Sequence, residues 1–433
     1  MENLKLGVAR EVITPEIGGR LAGYGPNNYS QSVADDLTAT AFYFQQGETG
    51  ALMISLTVCV INTELAQSIL AAIEEKFHIP KENCMLCATH THTGPDTNGQ
   101  VGWGGCDREY CEEIFVPSIL SVTEKAMNSV QPVKMGIATG TSWVGINRRE
   151  LTDDNRVILG ENPWGSFDPD MTVLSFADLK GKTVANMIHY GAHGTAAGPS
   201  KGISRDWPGV MIDALEEESG AVTAFFNGAE GDVAPRFLNK QTPLGMSNVR
   251  EIGEAAAKDA IRIFREISDY KDVELLTSNT NLVLPLKKRV SIEDAQKLYD
   301  TYKNSSINWH VLLTDHADKV INSYRDGYVD KETSEVEQTI IAVGDVVFAA
   351  FPYEPFSEIG MRINKAVKTR KVLSLSNTNG SEGYFITRDA VCRGGYEVNM
   401  FLHKHLQPYH DDVDFYLMKE TAKHVKQLIN EEE

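Results

Sequence analysis

The sequence predicts an α/β fold with mixed β-sheets at the centre and helices outside. Apolar β-type runs alternate with amphipathic helical stretches along the whole chain, and several β-type runs stop abruptly in polar or glycine-rich segments. No linker, repeat or low-complexity tract cuts the chain into pieces. With 433 residues, 42% hydrophobic and 23% charged, there is material for a large core, and one domain over 1–433 is expected.

Taken in order, residues 4–13 read as a strand, followed by a glycine-rich loop over 18–25. Residues 38–46 and 51–60, rich in β-branched and aromatic side chains, read as a hairpin across 47–50. Asn62 or Thr63 caps a helix through residue 77, with Leu65, Ile69, Ala72 and Ile73 on one face and Pro80 beyond its end. The chain then enters an apolar strand over 84–88 that ends in Thr89-His90-Thr91-His92-Thr93 and is broken by Gly94-Pro95. A helix over 108–128 and a strand over 133–145, ending at Asn147-Arg148-Arg149, follow. The next hairpin, 171–178 with 183–190, also stops in histidine and glycine, Ile188-His189-Tyr190-Gly191-Ala192-His193-Gly194.

Further along, a helix over 208–219 is preceded by Asp206, and a strand over 222–226 opens into a glycine-punctuated turn over 227–236. Helix 248–267 carries Ile252, Ala256, Ala260, Ile263 and Ile267 at helical spacing. After a strand over 282–286, the polar stretch 287–330, with helices around 291–304 and 309–323, reads as an insertion. Strands over 335–343 and 345–351 lead to Pro352-Tyr353-Glu354-Pro355, then come a helix over 357–367, a strand over 372–376 with the loop 377–384, and a closing helix over 412–429.

Charge narrows the function. A net charge of -19 argues against nucleic acid, whose phosphates need basic patches, and against anionic membrane surfaces. The charged N-terminus MENLKLGVAREV lacks an apolar stretch of signal length, and no run reaches the ~18 apolar residues of a membrane span. The expectation is a cytoplasmic protein with a small-molecule substrate, no nucleic-acid partner and no membrane insertion; oligomeric state is not legible. The six cysteines then read as reduced thiols, and the odd spacing of Cys84 and Cys87 within a strand places their sulfurs on opposite faces, as core rather than as ligands.

The chemistry concentrates at strand ends. On an extended chain His90 and His92 point to the same side and can share one partner, although the pair alone is equally compatible with surface histidines in a Thr-rich loop. The strand ends carrying His193 and Glu354, with Tyr384 in a later loop, favour a shared site. Two imidazoles and a carboxylate suit zinc, with a metal-bound water activated at neutral pH as nucleophile. Taken singly, Arg148 reads as a surface charge, and Asp206 is balanced between a helix cap and a place in the site. His189 reads as packing within its strand, and His403 and His405 as lying near a polar, exposed turn.

These residues carry a resemblance. Thr89-His90-Thr91-His92-Thr93-Gly94-Pro95, Asn147-Arg148, Asp170-Met171-Thr172-Val173-Leu174 leading to His193-Gly194-Thr195, Gly231-Asp232-Val233-Ala234-Pro235, Pro352-Tyr353-Glu354 and Tyr384 with Tyr396-Glu397 occur in an order that resembles the catalytic domain of the neutral ceramidases. The resemblance implies one zinc ion bound by His90, His193, Glu354 and Tyr384, with His92 as general base or water-orienting group and Arg148 and Tyr396 stabilising the oxyanion. Asn147, Asp206 and Asp232 are then expected to touch the substrate or support the ligands. The family's serine falls at Ala234, so metal-bound hydroxide or a neighbouring group must attack instead. The family's C-terminal immunoglobulin-like domain is not expected. Together these readings describe a zinc-dependent hydrolase of an amide or ester bond in a small soluble substrate. The alternatives are a metal- and ligand-binding homologue without turnover, or a true ceramidase using another nucleophile.

Overall fold

The computed structural model describes residues 2–239 and 242–431. Its first half builds a sheet from β1 (Lys5–Val12), β2 (Thr38–Gln46), β3 (Thr49–Leu56), β4 (Cys84–Ala88), β5 (Gln131–Thr141), β6 (Asp170–Asp178), β7 (Thr183–Tyr190) and β8 (Val222–Asn227). These lie in the order β8-β7-β6-β5-β1-β2-β3-β4, antiparallel except for the outer pairs β7–β8 and β3–β4. A second sheet, β9 (Leu275–Pro285), β10 (Thr333–Val343), β11 (Val346–Ala350) and β12 (Lys371–Leu375), runs in sequence order, with β11 and β12 parallel. The fold is the mixed-sheet α/β class expected.

Strand alternation sorts the apolar side chains into layers. Phe42, Phe44, Met53, Met85, Leu174 and Phe176 project from the first sheet onto Ile341, Val343, Val346, Phe348 and Leu373 of the second, and this shared layer is fully buried. The opposite face of the first sheet is covered in two places. α1 (Thr63–Phe77) and α2 (Val116–Asn128) pack Ile69, Ile73, Ile119 and Val122 over Ala41, Leu52 and Ile54. α3 (Asp206–Ser219) and α4 (Met246–Arg265) pack Met211, Leu215, Ile252 and Ala256 over Val173 and Ile188. Between β9 and β10 the chain passes through α5 (Ile292–Tyr302) and α6 (Val311–Arg325). The outer face of the second sheet is covered by α7 (Ser357–Ala366), α8 (Tyr396–Lys404) and α9 (Val413–Leu428), through Ile359, Ile363, Phe401, Leu417 and Val425. No helix among the described residues is long and apolar enough to cross a membrane.

Cys84 and Cys87 fall on opposite faces of β4, one in each apolar layer, as their spacing requires. Three expectations are corrected. The strand expected over 51–60 stops at Leu56, because Val58 and Val60 spend their carbonyls on His90 N–H and the Thr97 hydroxyl instead of on a neighbouring strand. The helix expected over 108–128 contains a π-turn at Cys111–Phe115, next to Pro117, which has no N–H for a regular helical bond. His403 does not sit near an exposed turn: it belongs to α8, is half-buried, and its Nδ1 lies 2.8 Å from Asn399 O.

His189, half-buried on β7, reaches across to the second sheet, with Nε2 3.0 Å from the carbonyl of Ser374. Burial, opposed by that hydrogen bond and reinforced by Lys371, lowers its pKa to about 4. Its contribution to stability is therefore complete above the ordinary histidine value of ~6.5 and is lost as pH falls from there toward about 4. His189→Gln, which keeps a donor for Ser374 O, should give a flatter melting temperature against pH over that window. His316 and His405, also lowered to about 4 by burial, are among the groups that leave the remainder of the slope. Parallel wild-type and variant curves would remove His189 from the acid response.

Candidate metal centre and active-site cavity

Three segment ends meet at one edge of the shared layer. His90 follows β4 in a left-handed conformation, φ 66°, and its N–H donates to Val58 O. Its Nδ1 lies 2.9 Å from Cys59 O, so the proton belongs there and the Nε2 lone pair faces the other way. His193 follows β7, with Nδ1 3.0 Å from the carbonyls of both Glu230 and Val233, which fixes the same tautomer. Glu354 lies in a two-residue strand, Glu354–Pro355, whose parallel partner is Tyr384–Phe385.

Glu354 Oε2 is 3.2 Å from His193 Nε2 and 3.6 Å from His90 Nε2. Burial lowers the pKa of both imidazoles below the ordinary value, and the carbonyl-bound Nδ1 protons leave both Nε2 atoms as acceptors. A carboxylate then faces two lone pairs with no proton between them. Glu354 Oε2 and His193 Nε2 are buried without a hydrogen-bond partner among the described residues. Such an arrangement is repulsive until a cation enters, and the His90, His193 and Glu354 donor atoms lie within 4.8 Å of one another. The donor set therefore fits a divalent metal of the zinc type.

His92 stands beside this set, Nε2 3.2 Å from His90 Nε2. It packs against Gly23, where even a Cβ would come within 2.0 Å of its Nδ1. Burial first, then His90 and His193, hold its pKa well below the usual value, so it is a neutral base. Cys59 is a neighbour that the sequence did not reveal. It forms a second metal-type group with His90 and His92, but burial raises its thiol pKa well above the ordinary value and keeps it protonated.

On the other flank Arg148 Nη2 donates to Tyr384 Oη at 2.9 Å and its Nε to Glu397 Oε1 at 2.9 Å. Arg149 donates to Glu397 Oε2 at 2.6 Å, so one fully buried carboxylate holds two arginines. The Tyr396 ring lies edge-on to Tyr384, 5.7 Å between centroids, and burial pushes both phenols upward in pKa, keeping them protonated donors. Glu397→Ala should lower stability by about 3–5 kcal/mol, because it leaves buried guanidinium charge unpaired. A thermal melt showing less than about 1 kcal/mol would mean that solvent or another carboxylate replaces it.

Asn147, Asp206 and Asp232 stand behind the site rather than in it. Asp232 accepts from Asn147 Nδ2 at 3.0 Å and Ser357 N at 2.7 Å, while its carbonyl accepts from Arg148 N. Asp206 accepts from the backbone N–H groups of Ala196, Ala197 and Trp207, tying down the loop after His193 as well as the start of α3. Burial raises the pKa of both aspartates to about 6. Glu230 and Asn377 are supports the sequence did not expose: Glu230 Oε1 accepts from Asn377 Nδ2 at 2.8 Å, and that nitrogen lies 3.2 Å from His90 Nδ1.

A cavity of about 1330 Å³ opens onto His92, Arg148, Ala234, Tyr384 and Tyr396. Its outer wall is made by Val157, Ile158, Leu159, Phe237, Leu244 and Trp309, with Glu150, Arg156 and Arg393 among them. A smaller chamber of about 60 Å³, lined by His90, His92, Glu354, Tyr384 and Trp103, adjoins it and has room for one or two waters. The structure brings His90, His92, His193, Glu354, Arg148, Tyr384 and Tyr396 together.

A family described as neutral/alkaline non-lysosomal ceramidase, N-terminal, matches residues 4–250. Neutral ceramidase A of Dictyostelium discoideum is 25% identical over 249 residues, 52% of this chain and 35% of that protein. Neutral ceramidase B of the same organism is 28% identical over 217 residues, 46% of this chain and 30% of that protein. The neutral ceramidase of Pseudomonas aeruginosa is 27% identical over 240 residues, 50% of this chain and 35% of that protein. The matched part of the chain spans about a third of the length of these relatives. The crystal structure of neutral ceramidase from Pseudomonas aeruginosa superposes with a TM-score of 0.77 at 18% identity, covering 99% of this chain and 75% of that one. A ceramidase complexed with C2 gives 0.74 at 18% identity, covering 99% and 76%. At this identity the structures speak for the fold.

Proposed function

Because the chain belongs to the neutral/alkaline non-lysosomal ceramidase family, we propose that it is a zinc-dependent hydrolase of an amide or ester bond in a small molecule held in the 1330 Å³ cavity. The observation that carries the proposal is the convergence of the His90, His193 and Glu354 lone pairs beside a neutral His92 and the Arg148–Tyr384 pair. Tyr384 completes the ligand set. Bound there, zinc would lower the pKa of a water toward ~7 and polarise the scissile carbonyl.

The chain's own residues supply the rest. His92 accepts the proton from the attacking water and returns it to the leaving amine or alkoxide, a task suited to an uncharged imidazole in a dry pocket. Arg148, held by Glu397, and Tyr396, held protonated, donate toward the carbonyl oxygen as negative charge grows on it. Ala234 lines the cavity where the resemblance places a serine and has no hydroxyl, which favours water as the nucleophile.

The experiment is metal content by mass spectrometry on protein purified without an affinity tag, followed by a screen of N-acyl amides and carboxylic esters before and after chelation. The expected result is about one zinc per chain and turnover that chelation abolishes and zinc restores. A metal-free wild type from a chelator-free preparation would sink the proposal. Bound zinc without turnover of any amide or ester would replace it with metal and ligand binding, the outcome in which the hydroxyl missing at Ala234 is not replaced by water.

A further inference from the structure

A pair of thiols lies at the base of the loop that walls the small chamber. Cys106 Sγ and Cys111 Sγ are 3.6 Å apart, the first partly accessible and the second buried. Asp107 caps the following helix by accepting from Tyr110 N, which places Cys106 just before the cap and Cys111 four residues after it. These are the two positions that a hydrophobic staple brings into contact, so the approach of the sulfurs is built into the helix start. The loop they bracket is closed tightly. Asp107 N donates to Asp96 O at 2.7 Å, and Asp96 Oδ1 accepts from Asn98 N and Gly99 N. A Cβ on Gly99 would lie 2.8 Å from Cys106 N, so the two arms of the loop meet at backbone contact. Between them Trp103 lines both the chamber and the large cavity, together with His92.

We propose that Cys106 and Cys111 are a thiol–disulfide modification site, closed by low-molecular-weight disulfides such as oxidised glutathione, whose closure clamps the loop carrying Trp103 against the active-site cavity. The Cys106 thiolate attacks one sulfur of the small disulfide, forming a mixed disulfide and releasing one thiolate. The Cys111 thiolate then attacks Cys106 Sγ, forming the intramolecular bond and releasing the second thiolate. The two protein protons pass to the released thiols, so the small disulfide is reduced as the protein pair is oxidised. The Cys111 thiol, donating toward Cys106, lowers the pKa of Cys106, which suits the more accessible sulfur to the first attack. Sulfurs at 3.6 Å are already close to the ~2.05 Å of a disulfide.

The test exposes folded, full-length protein to oxidised glutathione until Cys392, which is exposed, has taken up glutathione and so reports that the reagent worked. Chymotrypsin cutting after Trp103, Tyr110 and Phe115 separates the two cysteines into peptides 104–110 and 111–115. The expected result is that these appear joined, two hydrogens lighter than their sum, that reduction separates them, and that Cys106→Ser abolishes the joined species. Amide exchange over 97–105 should slow in the oxidised protein. Glutathione on Cys392 with both other thiols still open to alkylation, or a persistent mixed disulfide on Cys106, would overturn the site; unchanged exchange over 97–105 would overturn the clamp.

Discussion

His193→Ala yields protein that retains essentially no zinc and loses at least about 10³-fold in turnover, since the metal's several kcal/mol of transition-state stabilisation disappears with it. The argument rests on the pairing of His193 and Glu354. The imidazole's Nδ1 is committed to two backbone carbonyls, and among the described residues neither its Nε2 nor the carboxylate oxygen opposite has a hydrogen-bond partner. Removing the ring leaves one imidazole, His90, and one carboxylate, Glu354, with only the protonated Tyr384 hydroxyl beside them, a set too weak for tight binding. Stability reports the same event independently of substrate. A ligand that binds only the folded state raises its melting temperature, so chelation should lower that of wild type and leave that of His193→Ala unmoved. Full zinc in the variant, measured by mass spectrometry, would remove His193 from the ligand set.

Arg148→Ala retains zinc yet loses about 10²–10³-fold in kcat, the usual cost of deleting a preorganised donor aimed at an oxyanion. The guanidinium connects Glu397 to Tyr384, so its removal also frees the Tyr384 hydroxyl. Destabilisation accompanies the loss, because among the described residues Glu397 keeps only Arg149 as a charged partner. Arg148→Lys separates the two effects: a single ammonium restores charge near Glu397 but not the fork that holds both partners. Kinetics at saturating substrate with bound metal measured in parallel decides the matter. Unchanged kcat with full metal would place Arg148 in structural support only.

Much of this site was legible because its chemistry sits where local patterns break. The spacing of His90 and His92 and the ends of the strands before His193 and Glu354 are features of short windows, and the structure joins them at one place. Arg148 read as surface taken alone and gained a role through the resemblance, because the carboxylate that buries it, Glu397, lies far along the chain. Asp206 resembles a cap, but it is the first residue of α3 and accepts from Trp207 N, and its bonds to Ala196 and Ala197 come from chain packed beside it, which no window reveals. The same reason explains the missed α8: its first turn follows Gly394-Gly395, which reads as a loop, and its burial depends on the outer face of the second sheet. The register of β9 with β10 and the docking of the two sheets are likewise products of long-range packing.

The shared layer between the sheets has a consequence for how such a chain diversifies. His90 and His193 follow strands of the first sheet and Glu354 leaves the second, so the spacing of these candidate donors is set by Phe42, Phe44, Phe348 and their neighbours in the buried shared layer. The outer cavity wall comes instead from short segments outside both large sheets, at 157–161, 234–237, 242–244, 309 and 393–396. The two can thus vary separately: substitutions in the wall segments alter what the cavity accepts while the sandwich keeps the proposed metal donors in place.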